Sequence, residues 1–260
     1  MIDSKKVFET NCFKSIRKLM YVSCGFLAIS GTGIVIKFQD KFYFCCLYHS
    51  VVDSNGKFEA NKITDLGVFY KTYLEINPKE IDNPADVILF PNPEQFTKSF
   101  TADAIVDDLM LGEEFICIEI IGENNLKPIG YLDFDDENFK KYLFSEKLPR
   151  KDEILLVCGF NLSNNEIKYG NEGGIQTVYH EVGLYGGKCK QDEISFLIEK
   201  EDSNSSFEDC NGISGGIVIR MIGNQCEWVG IAARANGDFI RFIPYHLVAK
   251  TLVKNILDRA

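Results

Sequence analysis

Histidine is scarce in this 260-residue chain, which carries only His49, His180 and His246. A reaction that needs an imidazole base must draw on one of those three. Paired Cys-x-x-Cys spacing is missing, although nine cysteines are present, at positions 12, 24, 45, 46, 117, 158, 189, 210 and 226. An odd number scattered among apolar segments argues against both a zinc site and a disulfide framework. Such usage suits a reducing compartment, so a cytoplasmic location with no metal and no other cofactor is expected. An excess of positive charge is also lacking: 28 Lys and Arg against 38 Asp and Glu leave a net charge of -10. That balance disfavours phosphate backbones and anionic lipid, and no nucleic-acid or membrane partner is expected. The longest charge-free stretch, Leu19 to Ile36, follows Arg17 and Lys18 as a signal or spanning segment would. Ser23, Gly25, Ser30, Gly31, Thr32 and Gly33 make it a poor one.

What is present is ordinary globular composition, 45% hydrophobic and 25% charged, enough for one large or two small domains. Short apolar runs recur at Gly33–Phe38, Lys41–Leu47, Leu66–Leu74, Val87–Phe90 and Phe115–Ile121, separated by Asn, Asp, Gly or Pro. The rhythm resumes at Ile154–Phe160, Gln176–Leu184, Ile194–Ile198, Gly216–Ile222, Glu227–Ala233 and Phe239–Ile243. Such spacing predicts all-β barrels. Residues 1–20 place Phe8, Cys12, Ile16 and Leu19 at helical spacing, giving a short helix packed on the first barrel or else a strand arm. The acidic stretch within 129–147 lacks strand alternation and reads as a linker between a first barrel, 21–128, and a second, 148–243. Pro244 then opens a terminal helix, 244–260, with Val248, Leu252, Ile256 and Leu257 on one stripe.

The stretch with the most chemistry is Cys210-Asn-Gly-Ile-Ser-Gly-Gly-Ile-Val-Ile219. A tight turn that exposes one hydroxyl and aims successive N–H groups at a single point needs residues without a Cβ, which Gly212, Gly215 and Gly216 supply. Ser214 is the candidate nucleophile, with the N–H groups of Gly212 and Ser214 as oxyanion donors. Its base must be a histidine, and His49 stands where an apolar strand, Phe42 to Leu47, gives way to polar residues. An orienting carboxylate should be buried, and Asp86 directly precedes the apolar run Val87–Phe90; Asp65 and Asp82 fit less well.

The order His49, Asp86, Ser214 resembles that of the trypsin/chymotrypsin-fold serine proteases, particularly their bacterial and intracellular branches. Gly31-Thr32-Gly33 resembles the strand before that family's histidine, Leu148 to Phe160 the opening of its second barrel, and Trp228 to Ala235 the strand lining its specificity pocket. The resemblance spans roughly residues 20 to 260 as separated motifs. It implies two six-stranded antiparallel barrels with a C-terminal helix, and a serine endopeptidase acting on a polypeptide substrate. It further implies a pocket formed by Glu208, Asp209, Asn211, Ala233, Arg234 and Ala235, with Glu208 at its base. An acid there favours Lys or Arg in the substrate, while Arg234 would neutralise it or select an acid instead. A Gly-x-Ser-x-Gly elbow of the α/β-hydrolase kind is excluded by length, because only 46 residues follow Ser214.

Ile213 stands where zymogen-activated relatives carry an aspartate that pairs with a newly cut N-terminus, so that activation route is closed to this chain. Restraint must then come from narrow specificity, or from a regulatory protein or ligand that orders a misformed turn at Gly212 through the loop Glu199–Asp209. Such control would suit an effector of bacterial stress or defence. The competing expectation is a catalytically silent module of the same fold that holds extended peptides by strand addition.

Overall fold

The first eight strands form one sheet: β1 (Ile16–Ser23), β2 (Phe26–Phe38), β3 (Lys41–Leu47), β4 (Leu66–Phe69), β5 (Val87–Leu89), β6 (Phe100–Thr101), β7 (Glu114–Glu119) and β8 (Leu132–Asp133). Their order is β5-β4-β1-β2-β3-β7-β6, antiparallel throughout, with β8 joining β2 in parallel. The computed structural model describes residues 7, 9–23, 26–50, 66–69, 87–89, 100–101, 114–120, 130–143, 148–162, 165, 167–171, 175–178, 182–191, 196–200, 211–223, 225–235 and 238–249.

Eight further strands follow: β9 (Ile154–Phe160), β10 (Ile167–Tyr169), β11 (Ile175–Val178), β12 (Val182–Gln191), β13 (Phe196–Lys200), β14 (Ile217–Ile222), β15 (Gln225–Ala235) and β16 (Phe239–Pro244). Six of them close a barrel in the order β12-β13-β16-β15-β14-β9, and β10 and β11 pair with each other. Among the described residues the protein is therefore mostly β-sheet, with one closed six-stranded barrel. Its first half differs from a second such barrel in having eight strands and, among the described residues, no pairing that joins β5 to β6.

Alternation along β2 and β3 explains how the halves meet. Ile34 and Ile36 of β2 and Cys45 and Leu47 of β3 share a core with Leu156, Cys158, Ile217, Ile219, Trp228, Ile231 and Ile243 of the second half. The second barrel encloses its own core of Leu155, Val157, Ile213, Val218, Val229, Ala232, Ile240 and Phe242.

Two expected segments, the N-terminal helix and the linker, take another form. Among the described residues the N-terminal segment has Val7 in helical conformation and one helical turn, α1 (Asn11–Lys14), capped by the Thr10 side chain, which accepts from Phe13 N–H. Ile16 and Leu19 instead belong to β1, where pairing with β2 overrides their helical spacing. Arg17 and Lys18, placed like a charged flank in the sequence, are each only 2% exposed, and Arg17 donates to the carbonyls of Lys14, Ile16 and Gly130. The linker supplies β8 and a helix, α2 (Glu137–Leu143), whose Phe139 stacks on Trp228 with Phe134 beside it. At the C-terminus residues 245–249 are helical, with Tyr245, Val248 and Ala249 buried. The remainder of the predicted helix, 250–260, lies outside the described residues. Among the described residues no helix is long and apolar enough to cross a membrane.

Candidate active site

Ser214 sits at the second position of a turn closed by Gly216 N–H donating to Ile213 O at 2.8 Å. Gly215, the third position, has φ +87°, and a Cβ there would overlap the Thr32 carbonyl oxygen. Gly212 has φ +90°, and its Cβ would come within 2.6 Å of Phe160 O. Both sites therefore require glycine on conformation and on space.

Pinned carbonyls orient the N–H groups of Gly212 and Ser214, the expected oxyanion donors. A trans peptide directs its N–H opposite its C=O, and no cis bond occurs among the described residues. Leu162 N–H donates to Asn211 O at 2.8 Å, which turns Gly212 N–H the other way; the Gly216 bond to Ile213 O does the same for Ser214 N–H. Neither donor is taken by a backbone acceptor among the described residues. Onward, Gly215 N–H donates to Ala232 O at 2.7 Å and Ala232 N–H to Gly216 O at 2.8 Å, fastening the turn to β15.

One side chain from the first half completes this seat. Thr32 on β2, fully buried, donates through Oγ1 to Gly212 O at 2.7 Å and accepts from Phe160 N–H at 2.8 Å. Lys18 is its register partner on β1, and Lys18 Nζ lies 5.0 Å from the centre of the Phe160 ring. Burial strips the amine of hydration and lowers its pKa to about 6. Ile213, where an ion pair was expected to be wanting, is 1% exposed and packs into the core of the second barrel. The turn is thus anchored by apolar contact.

The hydroxyl of Ser214 donates to Ala233 O at 2.9 Å. A hydroxyl has one proton, so in this arrangement that proton is directed at a main-chain carbonyl.

His49 lies in a single 3-10 turn, Tyr48–Ser50, immediately after the buried strand β3, and its side chain is exposed. The two segments converge on Gly31: a Cβ added there would lie 3.2 Å from Ser50 Oγ and 3.9 Å from Ser214 O. Asp86, Asp65 and Asp82 lie outside the described residues, as does His180. His246 stands on the terminal helix with its ring against Tyr245. Among the described residues no cluster of His, Cys, Asp or Glu has the makings of a metal site.

Of the expected pocket residues, Ala233, Arg234 and Ala235 form the end of β15, and Asn211 is exposed at the start of the nucleophile turn. Glu208 and Asp209 lie outside the described residues. Cross-strand register adds a residue that sequence reasoning missed. Ala235 pairs with Ile240 of the barrel interior, and Arg234 pairs with Arg241. Partners in an antiparallel pair share a face, so both guanidinium-bearing residues project outward, on the face that Ile231 and Ile243 pack against the first half. Thr32 was legible as part of Gly-Thr-Gly, but nothing local marks its bond to a turn 180 residues away.

No protein-family model and no curated protein matches the chain. Solved structures do. A thermostable serine protease, AL20, from an extremophilic microorganism superposes with a TM-score of 0.50 at 8% identity, covering 93% of this chain and 96% of that one. The Rv3671c protein of M. tuberculosis H37Rv, a serine-to-alanine mutant in an inactive form, gives a TM-score of 0.46 at 13% identity over 96% and 90% of the two chains. The chain has the trypsin-like serine protease fold.

Proposed function

We propose that the protein is a serine endopeptidase in which Ser214 attacks a peptide carbonyl, His49 takes and returns the proton, and Asp86 orients His49. The observation that carries this reading is the pinned turn at 211–216, in which the Gly212 and Ser214 N–H groups have no backbone acceptor among the described residues. Donors fixed before the reaction begins cost nothing to reorganise, and each is worth about 3–4 kcal/mol to an oxyanion. Thr32 is a positioning residue, acting through the Gly212 carbonyl.

Restraint on such an enzyme is assigned to the nucleophile and the pocket more than to a misformed turn, because the turn is tied on both sides. Ser214 must leave the Ala233 carbonyl before it can hand its proton to an imidazole. Exchanging one neutral hydrogen bond for another involves about 1 kcal/mol, a step that a well-seated substrate or a regulatory partner can drive. For the pocket, the Arg234 and Arg241 pair shifts the reading from a basic to an acidic substrate side chain. Two cations on one face favour a carboxylate, whereas a basic side chain beside them would be repelled.

Profiling with a peptide library tests this. Cleavage after Asp or Glu, absent in Ser214→Ala, is expected. Cleavage after Lys or Arg would overturn the specificity and restore Glu208 as the pocket base. Tight peptide binding without any cleavage would replace the enzyme with a peptide-holding module.

A further inference from the structure

Register across the second barrel extends the Arg234 and Arg241 pair into a longer row. Arg234 of β15 stands opposite Arg241 of β16, Arg241 opposite Leu197 of β13, and Leu197 opposite Lys190 of β12. Register partners in antiparallel strands lie on one face. The sequence neighbours Cys189, Ile240 and Phe242 belong to the core that the barrel encloses, so the row runs along the outer face. Arg234 is exposed there, and Arg241 and Lys190 are half-buried. The row holds three cations and no carboxylate on a chain whose net charge is -10. Lys190 Nζ lies 3.9 Å from an Asp152 oxygen, a long and solvent-exposed contact that holds it weakly. In the neighbouring row Glu199 stands opposite Lys188, one acid matched by one base. Arg234 also follows directly on Ala233, whose carbonyl accepts from the Ser214 hydroxyl at 2.9 Å, so the row begins beside the candidate nucleophile.

We propose that this row, Arg234, Arg241 and Lys190 with Leu197 between the last two, is a docking surface for an extended acidic segment of the polypeptide substrate. The proposal rests on the reading of Ser214 as nucleophile and carries the acid preference beyond a single side chain. Four neighbouring strands about 4.8 Å apart give the row a length of roughly 14 Å, which four or five extended residues cover. The two guanidinium groups can each take a carboxylate through two N–H bonds, and the Lys190 ammonium ends the row as a point charge. A basic segment would meet three like charges, so the row selects against it as well as for an acidic one. The protein's overall negative charge repels polyanions at a distance. Binding of an acidic peptide must therefore come from local contacts along the row, not from general attraction.

The experiment titrates the folded full-length Ser214→Ala protein into fluorescein-labelled hexaglutamate and reads fluorescence anisotropy, with labelled hexaglutamine as the neutral control. The expected result is saturable binding of hexaglutamate alone, weakened roughly fivefold or more as salt rises from about 50 to about 300 mM. Adding Lys190→Glu should weaken it about tenfold. Lys41→Glu, at an exposed position of β3 in the first half, makes the same change in net charge and should alter affinity by less than about twofold. Equal binding of the two peptides, equal losses in the two charge variants, or equal binding of a single-stranded oligonucleotide would each overturn the proposal. Should Lys190→Glu fail to fold, the salt series and the hexaglutamine control still decide. Fluorophosphonate labelling of the wild type separates the two readings. Labelled Ser214 without hexaglutamate binding overturns the row and leaves the enzyme standing. Hexaglutamate binding without labelling overturns the enzyme and, with it, a substrate as the occupant of the row.

Discussion

At Ser214 the backbone is held by bonds from Leu162, Thr32 and Gly216 and by a two-way link to Ala232, with Ile213 buried as its anchor. At His49 the chain makes one 3-10 turn beyond β3 and leaves the imidazole exposed, with Ser50 buried near Gly31. In the proposed reading the rigid part of the site lies on the Ser214 side, where charge would develop, and the proposed base, His49, stands at the solvent edge just beyond a strand end. An oxyanion seat gains from being fixed in advance, whereas a base must move a proton between two partners and tolerates a looser mount.

Two glycines set that contrast most sharply. Gly215→Ala forces an L-residue into φ +87° and its Cβ onto the Thr32 carbonyl. We expect a loss of about 2–4 kcal/mol in stability and of most activity, read by thermal melts and by turnover of the profiled peptide. Gly31→Ala asks only that Ser50 Oγ yield slightly at 3.2 Å, and about 1 kcal/mol is expected. Equal losses in the two variants would erase the distinction.

Thr32→Val keeps shape but leaves the Gly212 carbonyl and Phe160 N–H without the hydroxyl that serves both. The turn loosens from the first half, and kcat should fall roughly 10- to 100-fold with KM little changed. Thr32→Ser, which keeps the hydroxyl, should recover most of it. An unchanged kcat in Thr32→Val would show that the second barrel holds the turn alone.

Smaller again is the effect of the lysine behind Thr32. Its pKa is about 6 in the folded protein against an ordinary value of 10.5, so between those limits the unfolded chain holds a proton that the folded one has released. Raising pH within that window favours folding, by at most about 1.4 kcal/mol per pH unit. Denaturant titrations from pH 6.5 to 8 should show stability climbing in the wild type, and Lys18→Met should flatten that slope while stabilising most at the acid end. Parallel slopes in the two proteins would mean that Lys18 remains charged.

Legibility followed the range of the forces involved. Lys41–Leu47 and Ile154–Phe160 were read as strands with the bounds they have, because a buried strand writes its apolar run into consecutive residues. The turn at 211–216 was legible as a turn because Gly212 and Gly215 are demanded by local conformation. Gln176–Leu184 read as one strand but is divided between β11 and β12, which lie in different sheets, a break that pairing imposes and composition does not mark. Arg241 gained meaning only once register set it opposite Arg234. Likewise Cys12 and Cys226 meet across 214 residues, and neither carries a local sign of the other. The carboxylate expected at Asp86 lies outside the described residues, so that part of the proposed triad rests on its position in sequence.

The most direct measurement is labelling of the folded protein by a fluorophosphonate, with the adduct located by peptide mapping. The account predicts one adduct, on Ser214, that is lost in Ser214→Ala and slowed about 10⁴-fold or more in His49→Ala. An adduct on another residue, or labelling indifferent to His49, would contradict it.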